Sequence, residues 1–501
     1  MRLATLAGAA LLAFAVRCSG APVAWWWLLV PALAVAIAFA ADSQRVSAAV
    51  AFRRGWLFGT LFLLGDLAWL IVPAGAHLGP VLYAIAALLC ALEALPIALA
   101  AWVFARTAAN TPLGFCLGAP ALYALLEATR ASGPLGLPLG TLGATQTAGP
   151  FAVTLAIGGV PLATFSVLVA ASTLVFVVRG VREARFTAPG VRALALAGGL
   201  AIVLLAGATL VWHDALAARS RIALARIGIV EAGPIDVGRT FAASANDYAR
   251  ATQLLPKDVD FVVWPEGVLY LIAPDASAQR AIARAAARKF GRTILTGATL
   301  RARGALHNDL LAIDGAGNVS SVYTKRRLVP FGEYQPFAIG SAARASYDAA
   351  ATIEAPVRIG GGQPFGVLIC YEIVFADLTR DSANAGASYL VAVLNDSWFA
   401  GSDGPGQLTQ LLTAGAIASG IAIVRVDTVP PSGIIDADGG WVGTPLRSAG
   451  VAVVEVPRAL ATPFRRFGPW PVLSALALLA ILSLWRPVFL PRRSRVRSAK
   501  R

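Results

Sequence analysis

Eight apolar runs constrain what this chain can fold into. They lie at 3–17, 22–41, 55–74, 79–105, 112–128, 155–178, 191–212 and 468–489. A helix needs about 20 apolar residues to cross the hydrocarbon of a bilayer. Only helices and closed barrels can satisfy their backbone hydrogen bonds there. The runs therefore predict about eight membrane-spanning helices, seven before a long polar interval and one after it. Composition agrees: 57% of residues are hydrophobic and 14% charged, with mean hydropathy +0.69, whereas soluble domains carry about 25% charged residues. The first run follows Met1-Arg2 without a small-residue cleavage site after it, so it reads as a retained helix and not as a signal peptide.

The net charge of +15 would suit a nucleic-acid partner if the cations formed one face. They do not. Arg2, Arg45, Arg53, Arg54, Arg106, Arg179, Arg182, Arg185 and Arg192 fall in alternate connections between the runs, and Arg492, Arg493, Arg495, Arg497, Lys500 and Arg501 crowd the tail. The remaining connections, 75–78 and 131–150, are nearly free of them. This is the positive-inside pattern. It predicts a multi-pass protein of the bacterial inner membrane with both termini cytoplasmic and the polar interval in the periplasm. The expected division is 1–212 for seven helices, 213–467 for an extracytoplasmic domain, and 468–501 for the last helix and basic tail. Asp66 and Glu93 lie inside apparent spans, where a carboxylate needs a cavity or a partner. The loop 129–150, rich in glycine and proline, is long enough to act as a lid or binding edge.

Within 213–467 charges return and short β-rich runs alternate with amphipathic helical ones. Strands are expected at 221–230, 261–264, 293–299, 309–313, 320–323, 367–370, 389–393 and 421–426, and helices at 241–255, 277–289, 375–385 and 406–419. Asp314-Gly-Ala-Gly317 is a hairpin signal. Interleaving of this kind predicts an α/β domain with sheets covered by helices. No phosphate-binding glycine loop occurs. Four cysteines without a CxxC and three histidines give neither a disulfide framework nor a metal site. No cofactor is expected.

Cys370, in Gly366-Val-Leu-Ile-Cys370-Tyr-Glu372, is the one thiol in this polar interval. A buried structural cysteine is common. A nucleophilic one needs a base or a positive neighbour to reach the thiolate. Three segments could supply help: Trp264-Pro-Glu266 at the end of an apolar strand, the cluster Lys325-Arg-Arg-Leu-Val-Pro-Phe-Gly-Glu333-Tyr, and Asn395-Asp-Ser-Trp398-Phe after another strand. His307 is the rival base.

The order Glu266, Lys325, Cys370 resembles the nitrilase superfamily, whose members carry a Glu-Lys-Cys triad on an αββα sandwich. Together with the apolar runs, the quoted segments resemble its apolipoprotein N-acyltransferase branch over nearly the whole chain. Glu127, Arg130, Pro138 and Gln146 also match that family, with Leu139 where a tryptophan is usual. The resemblance implies Glu266 as general base, Lys325 as the cation that stabilises thiolate and oxyanion, and Cys370 as nucleophile. Glu333, Tyr371, Glu372, Asn395 and Trp398 would support or line the site, Glu372 as a partner of Lys325. A phospholipid would donate the acyl chain and the α-amino group of a diacylated lipoprotein would accept it, on a monomeric enzyme. An amidase, or a paralogue with another amine acceptor, is the alternative. Several positions depart from the family: Glu231 replaces a glutamine, Leu408 a histidine and Pro469 an aspartate, and Ala418 and Ile421 stand in a segment that lacks the usual Arg-x-x-Glu and Arg-Pro-Leu. They bear on substrate recognition and not on the triad.

Overall fold

The computed structural model describes residues 2–19, 25–41, 47–107, 111–133, 136–182, 205–219, 223–235, 239–302, 304–334, 347–350 and 355–484. Residues 191–204 of the seventh apolar run and the basic tail lie outside them, as does the end of the eighth run.

The apolar runs form helices, several of them interrupted. The run at 55–74 falls in Ala48–Asp66 and Ala68–Leu78, separated at Leu67. That at 79–105 forms Val81–Glu93 and Leu95–Thr107, with a turn at Ala94 between them. The segment 112–128 opens with a π-type turn, Gly114–Gly118, and continues as Ala119–Thr129. The helix Ala152–Arg182 kinks at Gly159, whose φ of 69° suits glycine. Among the described residues two stretches are long and apolar enough to cross a bilayer, Val81–Thr107 with 27 residues and Ala152–Val181 with 30. Arg2–Ser19, Leu29–Ala41 and Trp470–Leu484 are shorter helices packed with them.

The polar interval forms two sheets packed face to face. The first contains β1 (Arg226–Glu231), β2 (Phe261–Val263), β3 (Leu269–Tyr270), β4 (Thr293–Ala302), β5 (Ala305–Ile313), β6 (Val319–Thr324) and β12 (Gly450–Glu455). Its order is β12-β1-β2-β4-β5-β6, with β3 beside β4. The second contains β7 (Phe365–Ile369), β8 (Tyr389–Leu394), β9 (Ile423–Asp427), β10 (Ser432–Ile435) and β11 (Trp441–Leu446), in the order β11-β10-β9-β8-β7. The central strands β1-β2-β4 and β7-β8-β9 are parallel. They are buried on both faces and so read as continuous apolar runs.

Ile227, Phe261, Val263, Phe365, Val391 and Val424 fill the space between the sheets, with Phe261 and Phe365 stacked at 5.4 Å and Phe365 and Tyr389 at 5.5 Å. Helices Phe241–Thr252 and Ala276–Phe290 cover the outer face of the first sheet. Ala376–Asn384 and Gly404–Ser419 cover the second. The layers are therefore helix, sheet, sheet, helix. Each expected strand and helix is present, mostly shifted by a few residues. The expectation omitted the two-residue β3 and stopped at 426, so it also missed β10, β11 and β12. Trp441–Leu446 is largely exposed, so it carries little of the apolar signal by which a buried strand is read.

Gly404–Ser419 joins the two halves. It is buried almost all round, because one side meets the second sheet and the other meets the helices. Trp69 donates from Nε1 to Gln407 Oε1 at 2.9 Å and packs edge-on against Phe399 at 5.0 Å. Gln407 also donates to the Asp66 backbone carbonyl at 3.2 Å, so that carboxylate residue sits against the junction. The second acid, Glu93, is paired with Arg130.

The departures from the family pattern belong largely to this packing. Leu408 and Ile421 are buried in the core shared by the second sheet and the helices. Ala418 packs with Phe464 and accepts a 2.6 Å hydrogen bond from Thr462 at its carbonyl. Pro469 immediately precedes the last helix, where a missing N–H costs nothing.

Candidate active site

Glu266 follows the parallel strand β2 and Cys370 the parallel strand β7, Lys325 follows the antiparallel edge strand β6, and the fold brings all three together. Gly297 on β4 is required here, since a Cβ at that position would lie 2.5 Å from the Glu266 Cα.

Cys370 has φ +50°, an uncommon conformation for a residue with a side chain. It turns the chain sharply from β7 into the short helical turn Cys370–Val374. Glu372 holds this elbow. Its carboxylate accepts from the Ile369 N–H at 2.8 Å, the Tyr323 hydroxyl at 2.9 Å, and the backbone N–H groups of Arg326 at 2.7 Å and Arg327 at 3.2 Å. Glu372 thus ties the backbone after Lys325 to the backbone before Cys370. Its oxygens are taken by these donors, so it meets Lys325 through charge and not through a direct contact.

Lys325 is 1% exposed. Its Nζ lies 2.8 Å from Glu333 Oε1 and 3.8 Å from Glu266 Oε1. Burial alone would depress its ammonium, but the charges of Glu333, Cys370 and Glu266 outweigh that and hold it well above its ordinary value. The bend that returns Glu333 to the lysine contains Phe331 at φ +63°. It is closed by Val329, whose N–H donates to Glu333 Oε2 at 2.8 Å.

Asn308 on β5 was not anticipated. Its Nδ2 donates to Glu266 Oε1 at 2.7 Å and to Glu333 Oε1 at 3.0 Å, which holds the two carboxylates on either side of the ammonium. The one sequence signal was an Asn-Asp pair inside a strand, where both residues are poorly suited. Alternation along β5 puts His307 on the opposite face from Asn308, which removes it as the base.

The Cys370 side chain neighbours the Glu266 carboxyl and acts to lower it. Burial, then the Glu266 charge, push the thiol well above its ordinary value, with Lys325 opposing. Burial also raises Glu266, and Lys325 offsets this in part. The resting arrangement is therefore a neutral thiol aimed at a desolvated carboxylate, with a fixed cation alongside. Such a carboxylate can take the thiol proton, and the resulting thiolate would sit beside an ammonium.

The other expected residues are distributed around this centre. The Tyr371 hydroxyl donates to the Gly136 carbonyl at 2.6 Å, which ties the residue after the nucleophile to the 129–150 loop. That loop is anchored in turn by Arg130, donating to the Leu139 carbonyl at 2.8 Å, and by Glu127, accepting from the Leu142 N–H at 2.9 Å. Asn395 packs against the turn after Glu266: a Cβ on Gly267, at φ +76°, would lie 2.8 Å from its Nδ2. Its Oδ1 accepts from Thr428 at 2.9 Å. Trp398 is 53% exposed.

Residues 220–466 match the family described as Carbon-nitrogen hydrolase, and residues 8–173 match that described as Apolipoprotein N-acyltransferase N-terminal domain. The chain is 28% identical over 485 residues to an apolipoprotein N-acyltransferase of Pseudomonas aeruginosa, covering 93% of this chain and 92% of that one. It is 26% identical over 457 residues to one of Vibrio vulnificus, covering 86% and 87%. Among solved structures it is similar to an amidase from Nesterenkonia sp., 21% identical, with TM-score 0.34 over 48% of this chain and 93% of that one.

Proposed function

The chain belongs to the apolipoprotein N-acyltransferase family of the carbon-nitrogen hydrolase superfamily, and on that footing we propose that it moves an acyl chain from a phospholipid to the α-amino group of a diacylglyceryl-cysteine. Glu266 takes the Cys370 proton, and the thiolate attacks the ester carbonyl of the donor. Lys325 and a backbone N–H beside Cys370 stabilise the oxyanion. The ester C–O bond breaks, Glu266 returns the proton to the departing lysophospholipid oxygen, and a thioester remains on Cys370. The neutral acceptor amine attacks that thioester and gives a proton to Glu266 as the N–C bond forms. The C–S bond breaks, and Glu266 passes that proton to the departing Cys370 sulfur. One covalent intermediate serving two half-reactions gives ping-pong kinetics.

One observation favours acyl transfer from lipid over amide hydrolysis in water: Tyr371, beside the nucleophile, is bonded to Gly136 in the loop between apolar helices. The reading includes about eight spans, both termini in the cytoplasm, a periplasmic catalytic domain at 213–467 and residence in the inner membrane of the bacterial cell. Purified protein incubated with phospholipid and a diacylated lipopeptide tests it. A thioester-linked acyl group on Cys370 that passes to the peptide amine is expected, with no product from Cys370→Ala and no thioester from Glu266→Gln. Free fatty acid with no acylated peptide would assign it as a hydrolase.

A further inference from the structure

A cavity of about 330 Å³ lies beside the elbow, between the 129–150 loop and the segment that follows Lys325. This is within the range of small-ligand sites, about 300–1,000 Å³. Arg326, Arg327, Tyr371, Phe375 and Gly136 line it, and among the described residues of its wall there is no carboxylate. Tyr371 is adjacent to the nucleophile, so a ligand here sits next to the reacting centre. The Arg326 Nε donates to the Tyr323 hydroxyl at 3.3 Å. No carboxylate lies within ion-pair distance of Arg326 among the described residues. Arg327 is centred 4.9 Å from the Phe375 ring and makes a 3.2 Å bond to Asp377 in an exposed pair, which solvent screens and which is readily exchanged.

Two guanidinium groups in a cavity whose described lining holds no carboxylate select an anion, and arginine suits phosphate oxygens because its fork can bond two of them at once. In the proposed reaction the acceptor presents an amine, which two arginines repel. The donor presents a phosphodiester. We propose that this cavity seats the phosphodiester of a glycerophospholipid donor, held by Arg326 and Arg327, with its ester carbonyl delivered to Cys370. This rests on the acyl-transfer reading above. It gives the two cations a specificity role: they recognise the group next to the bond that is cleaved and leave the chemistry to the buried residues. The Arg326 backbone N–H serves Glu372, so the side chain can be changed without removing that clamp.

The test compares thioester formation on Cys370 from dipalmitoylphosphatidylethanolamine and from dipalmitoylglycerol in the same detergent micelles. The two donors share acyl chains and glycerol esters and differ in the phosphodiester. The ratio of the two rates is expected to fall at least tenfold in Arg326→Gln and in Arg327→Gln, and by less in Arg326→Lys. A thioester that forms with an unchanged ratio overturns the headgroup assignment alone. Absence of a thioester from either donor in the wild type overturns the acyl-transfer reading, and this inference with it. Inorganic phosphate and soluble glycerophosphoethanolamine are added as competitors. Competition by glycerophosphoethanolamine alone supports a lipid headgroup site, whereas equal competition by inorganic phosphate assigns a free-anion site and overturns the lipid source.

Discussion

Replacing Glu231 with glutamine should stabilise the protein, and by an amount that depends on pH. Glu231 ends β1 with 1% of its surface exposed, and neither carboxylate oxygen has an aligned hydrogen-bond donor. Burial lifts its carboxyl from 4.5 to about 7; the nearby Ser432 hydroxyl offsets part of this, Asp427 adds to it and Arg425 opposes it. A folded value above the unfolded one means that the folded chain holds an extra proton between the two. Stability therefore falls as pH rises from about 4.5 to about 7 and is level above that. The shift corresponds to ~3 kcal/mol lost at about pH 8 and under ~1 kcal/mol at about pH 5. Glutamine has nearly the same shape and no charge. Whatever its amide costs in that pocket is the same at both pH values, so the difference between variant and wild type should grow by ~2–3 kcal/mol from about pH 5 to about pH 8. Thermal melts of the full chain in detergent read this as roughly 5–10 °C, at ~2–4 °C per kcal/mol. Asp396, whose carboxyl burial and then Asp427 hold well above its ordinary range, titrates in both proteins and cancels. If the two proteins respond to pH in parallel, Glu231 is ionised at no cost and the reasoning is wrong.

Two further outcomes follow from the same geometry. Glu333→Gln removes the nearest charge to Lys325, so the ammonium should swing from its 2.8 Å partner toward Glu266. The Glu333 charge raises Glu266 and Lys325 lowers it, so the acid limb of thioester formation should move to lower pH while the rate falls on the order of 10²-fold; a limb that stays or moves up would contradict this ordering of charges. Trp69→Ala should cost ~3–5 kcal/mol by emptying a buried site, and Trp69→Phe only ~1–2 kcal/mol for the lost hydrogen bond to Gln407, with thermal melts again the measure. Equal losses in the two variants would place the stabilisation in the hydrogen bond and not in the packing.

Local pattern was enough to find the apolar runs, the alternation of strands and helices up to 426 apart from the two-residue β3, and the segments holding Glu266, Lys325 and Cys370. Burial of a helix or a central strand is written into its own residues, and a thiol that follows an apolar strand is visible wherever that strand lies. The arrangement of charge was not visible in this way. Tertiary structure decided that Lys325 leans on Glu333 and leaves Glu266 to the thiol, that Glu372 clamps backbone amides, and that Asn308 spans two carboxylates. It also paired Glu93 with Arg130 and placed β10 beside the edge strand β11, half of whose residues are exposed, with β12 at the edge of the first sheet. Hydrogen bonds and ion pairs act over a few ångströms between residues far apart in the chain. Hydrophobic periodicity reports only whether each residue is buried, so which buried carboxylate meets which donor depends on how the two sheets and the helices close on one another.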